Sequence, residues 1–198
     1  NLKEDGVIYA EIRFAPNLHT KQGLTNKQVV DAVLKGLKTV DIKTNLLLCC
    51  MRNDTIESNK KIIDLAQIYH IAIDLAGDEA NYQTEKFSQL FIYAKEKNVP
   101  FTIHAGEADG PSSIASALKF GAKRIGHGIH IIENQELMKQ AIKNKILLEV
   151  CPTSNIQTTS APSYETHPIK QHHENHLQIC INTDNRTVSN ITLTEEYQ

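Results

Sequence analysis

Seven apolar runs of strand length recur along this chain, and segments of helical period separate them. The runs are Val7–Phe14, Asn45–Cys50, Ile71–Leu75, Phe101–His104, Arg124–Gly126, Leu147–Val150 and Ile179–Asn182. None alternates cleanly between apolar and polar, so each strand reads as buried on both faces. Buried strands alternating with helices argue for a parallel sheet in an α/β fold. The helical signals are specific. Thr25-x-x-Gln28 forms a capping box, followed by Val29, Val33, Leu34, Leu37 and Val40 on one face. Phe87, Leu90, Phe91 and Ala94 repeat that spacing after Thr84. Pro111 opens another helix, with Ile114, Ala117 and Leu118 inward and Gly121 as its stop. Leu137, Ala141 and Ile142 mark a further one.

Composition narrows the function classes. At 198 residues the chain can bury a sizeable core, and no low-complexity tract divides it, so residues 1–198 read as a single domain. A net charge of −2 supplies no basic field, and nucleic acid is not expected as a partner. No apolar stretch approaches the ~20 residues of a membrane span, and no membrane partner is expected. Cys49, Cys50, Cys151 and Cys180 all sit in or beside apolar runs, which suits reduced, buried thiols and a cytoplasmic protein.

Polar clusters end the later strands: Asp74-Leu-Ala-Gly-Asp-Glu79, His104-Ala-Gly-Glu107, Arg124-Ile-Gly-His-Gly128, Cys151-Pro-Thr-Ser-Asn155 and Asn182-Thr-Asp-Asn185. A doubly wound open sheet concentrates function at one switch point. Clusters on consecutive strand ends fit better the rim of a TIM (β/α)8 barrel, which needs eight strands where about seven are visible. The first β/α unit and the C-terminal end are therefore expected to lie outside this chain, whose two ends read as cut.

Taken singly the clusters are ambiguous. His104 and Glu107, three residues apart past a strand, suit metal ligation with acid/base work, or a plain structural pair. His127 between two glycines is either a catalytic imidazole or a turn residue bonded to backbone. Asp184 is either a helix N-cap or an oxygen ligand for zinc. Three acids on the loop at Asp74, Asp78 and Glu79 require something cationic or hydrogen-bonding beside them. His167, His172, His173 and His176 lie among Lys170, Gln171, Glu174 and Asn175 and read as a solvated surface helix.

Together and in order, the five clusters resemble the signature set of the adenosine deaminase family, zinc-dependent TIM-barrel hydrolases. Glu11-Ile-Arg-Phe-Ala-Pro16 and Leu48-Cys-Cys-Met-Arg52 are similar to the family's second and third strands. The resemblance implies zinc, one ion per full-length site, with His104 and Asp184 as ligands. Glu107 would protonate purine N1 as hydroxide attacks C6, a role that asks for a buried carboxyl. His127 would orient the attacking hydroxide and stabilise its charge, or accept its proton. The Gly77 backbone would face purine N3, and Asn185 would donate to N7, where many members carry Asp. The implied reaction is hydrolytic deamination of adenosine and 2′-deoxyadenosine in purine salvage.

One departure stands out: the family's His-x-His pair, which supplies two more zinc ligands, occurs nowhere here. The 198-residue stretch alone is therefore expected to bind zinc weakly and turn over little. The alternatives are adenine deaminase, with a similar barrel and motifs, and an inactive remnant or binding module. The Pro-Cys-x-x-Cys ligands of the cytidine deaminase type are missing. Oligomeric state is not legible.

Overall fold

The computed structural model describes residues 2–198, and they form two compact units. One unit holds residues up to Gly77 together with Phe87–Phe101; the other holds Asp78–Lys86 and Thr102–Gln198.

In the first unit, β1 (Tyr9–Phe14), β2 (Lys43–Met51) and β3 (Ala72–Ala76) form a parallel ladder. Leu46, Leu47, Leu48 and Cys50 are buried in succession along β2, the continuous burial of a strand covered on both faces. Helix α1 (Asn26–Leu37) starts at the expected capping box: the Thr25 hydroxyl accepts from Gln28 N, and the Gln28 side chain answers the Thr25 N–H. Val40 lies beyond this helix and is 48% exposed, so the apolar stripe ends at Leu37. Helix α2 (Ile56–Tyr69), capped by Thr55, packs on β2, β3 and α3 (Ser88–Glu96). Phe87, Leu90, Phe91 and Ala94 all turn inward as expected. The Arg13 guanidinium reaches the fully buried Asp74 carboxylate at 2.9 Å, which offsets one of the three acids.

The second unit repeats the plan. Strands β4 (Phe101–Ala105), β5 (Arg124–His127), β6 (Leu147–Val150) and β7 (Gln178–Ile181) pair in parallel, each with the next. Among the described residues, seven strands run in parallel ladders, three in the first unit and four in the second. Helix α4 (Pro111–Lys119) has Pro111 in its first turn, with Gly121 at φ 89° just beyond its end. Helix α5 (Gln135–Lys143) buries Leu137 and Ala141 but leaves Ile142 36% exposed. Short helices α6 (Pro152–Gln157), α7 (Ile169–Glu174), α8 (Arg186–Ser189) and α9 (Leu193–Glu196) complete it. Arg124 Nε reaches Glu149 Oε1 at 2.5 Å, clamping β5 to β6. Cys49, Cys50 and Cys151 are buried free thiols, and Cys180 is partly exposed. No described helix is long and apolar enough to cross a membrane.

The histidine-rich segment corrects the sequence reading. His167 and His172 are 4% and 0% exposed, because α7 packs on β7 and on the 3-10 turn Ile129–Glu133. Burial pushes both imidazoles down to about 4, against a backbone bond to Ile129 that opposes the shift at His172. Between pH 6.5 and about 4 the unfolded chain takes up protons at these positions and the folded chain does not. Stability contributed by their neutral burial is complete above pH 6.5 and is lost as the pH falls toward 4. The slope is about 1.4 kcal/mol per pH unit for each group. Urea titrations at pH 7, 6 and 5 should show this loss, and His172→Leu should flatten it. Identical pH slopes in parent and variant would refute the assignment.

Candidate active site

His104 projects near the end of β4, and the facing residue on β5 is Gly126. A side chain there would place its Cβ 3.2 Å from His104 Cγ and Nδ1, so the glycine makes room for the ring. One residue on, the His127 ring stands 5.1 Å from the His104 ring, centroid to centroid. The backbone at His127 is left-handed, φ 62°, and Gly128 follows at φ 67°. A histidine in that region is uncommon and costs of order 1 kcal/mol or more, which marks a position selected for direction rather than ease of folding.

The loop after β4 carries Glu107, and another acid of the same unit builds it. Glu79, 4% exposed, accepts four backbone N–H bonds: Gly106 at 2.6 Å on one oxygen, Glu107 at 3.0, Ala108 at 2.8 and Asp109 at 3.3 Å on the other. The Ser113 hydroxyl adds a further donor, and Thr84 bonds Ser113. A carboxylate ringed by N–H donors is stable where it would otherwise be costly to bury. This answers the question posed by the acidic loop. Asp74 has its arginine, Asp78 bonds the backbone and side chain of Asn81, and Glu79 folds the Glu107 loop around itself.

Glu107 then faces donors on both oxygens. Its Oε1 lies 3.1 Å from the Thr158 hydroxyl and 3.3 Å from Asn155 Nδ2, and its Oε2 lies 3.3 Å from His127 Nε2. Its side chain is 19% exposed, so the enclosed carboxyl expected from the sequence is only partly enclosed. Asn155, fully buried on α6, also meets His127 Nδ1 at 3.0 Å. Burial pushes the His127 imidazole below the usual range, more than the Glu107 carboxylate pulls it up.

Asp184, beyond β7, is exposed, with φ 51°, and accepts from the Ser154 hydroxyl at 2.8 Å. It is near enough to act on the charge of His127. Asp184 is not the helix cap; Asn185 is. The Asn185 Oδ1 accepts from Thr187 N at 3.1 Å and Val188 N at 3.2 Å, which leaves its amide NH2 as the group turned away from the helix. Gly77 belongs to the first unit, where its φ of 101° turns the chain beside Met51 and Arg52.

The second unit therefore gathers Glu107, His127 and Asn155 in direct contact, with the His104 ring beside them and Asp184 tied to Ser154. An imidazole and a carboxylate are zinc donors by chemistry, and the Gly126 cradle leaves space at the His104 ring. They amount to part of a set. Among the described residues no group of three His, Cys, Asp or Glu is disposed to hold a metal. Sequence reasoning named the Cys151–Asn155 cluster but gave no role to Ser154 or Asn155, and it missed Thr158, His167 and the work of Glu79. Ser154, Asn155 and Glu79 lie within named motifs and Thr158 three positions past one, but only the fold shows what they touch.

Comparison with known proteins extends over the whole chain. It is 45% identical over 210 residues to the adenosine deaminase of Haemophilus ducreyi, covering 100% of this chain and 61% of that protein. The chain spans about 60% of the length of the curated relatives it matches. Among solved structures it is similar to the adenine deaminase of Arthrobacter aurescens, with TM-score 0.88, 25% identity, 98% of this chain and 62% of that one. It is equally similar to the apo N6-methyl-AMP deaminase of Arabidopsis thaliana, with TM-score 0.88, 27% identity, 99% and 63% coverage. The family model described as adenosine deaminase matches residues 1–198. With that match running over its whole length, the chain belongs to the adenosine deaminase family.

Proposed function

We propose that the protein carrying this chain hydrolyses adenosine and 2′-deoxyadenosine to inosine and 2′-deoxyinosine, releasing ammonia, as a cytoplasmic step of purine salvage. The observation that carries this reading is the contact of a carboxyl, Glu107, with a buried imidazole, His127, both held by Asn155. Replacing an exocyclic amine on a purine requires a proton at the adjacent ring nitrogen and a positioned oxygen nucleophile at the carbon. Glu107 supplies the first and His127 positions the second. His104 and Asp184 would hold zinc together with further donors, and the ion when bound supplies a nucleophile near neutral pH by lowering the pKa of water.

The chain's own residues do the rest. Glu79 keeps the Glu107 loop in one conformation, so that the carboxyl is aimed before substrate arrives. Asn185 offers an amide NH2 that donates at any pH, which suits an acceptor such as purine N7. Ser154 fixes the Asp184 carboxylate.

Ammonia release by the intact protein, measured with adenosine, 2′-deoxyadenosine, adenine and AMP in parallel, tests the reading. Adenosine is expected to exceed adenine by roughly 100-fold in kcat/KM, since a free base offers no hydroxyls to the polar groups that would hold a ribose. Faster turnover of adenine or AMP would overturn the substrate assignment, and no ammonia from any of them would overturn the activity.

A further inference from the structure

His127 is a neutral imidazole with two ring nitrogens, and which of them carries the hydrogen decides what it can do at the site. One main-chain group settles the question from a distance. The Ile169 N–H points at His167 Nδ1 at 3.1 Å. A backbone N–H can only donate, so His167 Nδ1 accepts and the His167 hydrogen is on Nε2. That Nε2 lies 3.2 Å from Asn155 Oδ1. The Asn155 oxygen is therefore the atom facing His167, and its NH2 is the group facing His127 and Glu107. The two amide hydrogens match two acceptors, His127 Nδ1 at 3.0 Å and Glu107 Oε1 at 3.3 Å. The opposite orientation of the amide would set its oxygen against the Glu107 carboxylate and point two donors at each other at His167. His127 Nδ1 is thus an acceptor and its hydrogen is on Nε2, the nitrogen that lies 3.3 Å from Glu107 Oε2.

We propose that Asn155 and His167 are positioning residues that lock His127 in the Nε2–H form, so that His127 acts on the reacting oxygen as a hydrogen-bond donor and not as its base. The relay runs from Ile169 through His167 and Asn155 to His127 and ends on Glu107. Its three side-chain members, His167, Asn155 and His127, are 4%, 0% and 2% exposed, so water does not compete for these bonds. The inference rests on the proposed deaminase reading for its catalytic meaning, though not for its geometry. A neutral imidazole with hydrogen on Nε2 has no lone pair on that nitrogen with which to take a proton. Charge developing on the attacking oxygen is met by an N–H already in place. The proton that leaves the attacking water must then go to a carboxylate, and Glu107, bonded to Asn155 and 3.3 Å from the same His127 nitrogen, is the group placed to carry it to the purine ring nitrogen. No net proton is gained or lost by His127 in that sequence.

The test reads the tautomer directly. Long-range ¹H–¹⁵N spectra of the intact protein labelled at histidine nitrogens, zinc-loaded, should show His127 with Nε2 protonated and Nδ1 bare, and His167 likewise. Asn155→Asp replaces the donating NH2 with an acceptor of the same shape, and it should move the His127 hydrogen to Nδ1. Turnover should fall roughly 100-fold with little change in KM. His167→Phe removes the donor that orients the amide and should leave a mixture of the two His127 forms, while His167→Gln, which can still donate to Asn155, should restore the single form. Protonation on Nδ1 in the parent protein, or an unchanged His127 pattern in Asn155→Asp, would overturn the relay; the parent spectrum decides even if a variant fails to fold. Absence of any deaminase activity alongside the expected spectra would instead remove the functional reading and leave the relay standing.

Discussion

Glu79→Ala is expected to unfold about 10 °C below the parent and to lose deaminase turnover by about 100-fold or more. The side chain is 4% exposed and accepts from the backbone N–H groups of Gly106, Glu107, Ala108 and Asp109 as well as from Ser113. Truncation would leave these donors in a buried pocket without an acceptor. Each orphaned buried donor costs about 1–3 kcal/mol, although water admitted to the vacated space recovers part of it. A net loss of about 3–5 kcal/mol follows, comparable with breaking a buried ion pair. For a chain of this size that corresponds to a midpoint shift of about 10 °C. Activity should fall further than stability alone explains, because the loop that Glu79 organises carries Glu107, and a displacement of about 1 Å at a reacting group costs roughly 100-fold. Glu79→Gln separates the two effects. It keeps one acceptor oxygen for part of the ring of N–H groups, so it should recover much of the stability and little of the turnover. Thermal unfolding and initial rates measured on the same samples decide the matter; an Ala variant that melts with the parent would show that the loop is held by something else.

Glu107→Gln is expected to fold like the parent, bind substrate like the parent, and turn over about 10²–10⁴-fold more slowly. The shape of the side chain is kept, and Thr158 and Asn155 still find an oxygen to donate to. On the proposed function, what is lost is the group that carries a proton to the ring nitrogen. The expected signature is therefore a fall in kcat with KM nearly unchanged, since the interaction is made in the transition state. A large rise in KM with kcat preserved would assign Glu107 to binding and remove it from the chemistry.

The framework of the fold could be read from the chain, and the failures have physical causes. Leu147–Val150 and the start of β4 at Phe101 match the apolar runs, and the Thr25 cap lies where its spacing put it. Parallel strands buried on both faces leave a dense apolar signal. Helix α2, the longest element, went unnamed because a polar residue interrupts its inward face. Asn59 is fully buried there, bonded to both the N–H and the C=O of Met51, which no periodicity count anticipates. The site divides along the same line. His104, Glu107, His127 and Asp184 end strands or follow them closely, so position made them candidates, while the roles proposed for them came from the resemblance. Glu79, Asn155 and His167 act through partners 27 to 30, 28 and 12 residues away respectively. Residue type says what such a side chain could donate or accept, and only the folded chain says to whom. The histidines of the α7 region illustrate the reverse error: polar neighbours suggested solvent, yet His172 is the residue its helix turns toward β7 and the Ile129 turn.

The left-handed backbone at His127 and Asp184 has an evolutionary consequence. Glycine or asparagine would relax either bend, yet each would discard the imidazole or the carboxylate to which the proposed function gives a role. If the proposed function holds, stabilising substitutions at these two corners would cost activity, and those on helix surfaces would not.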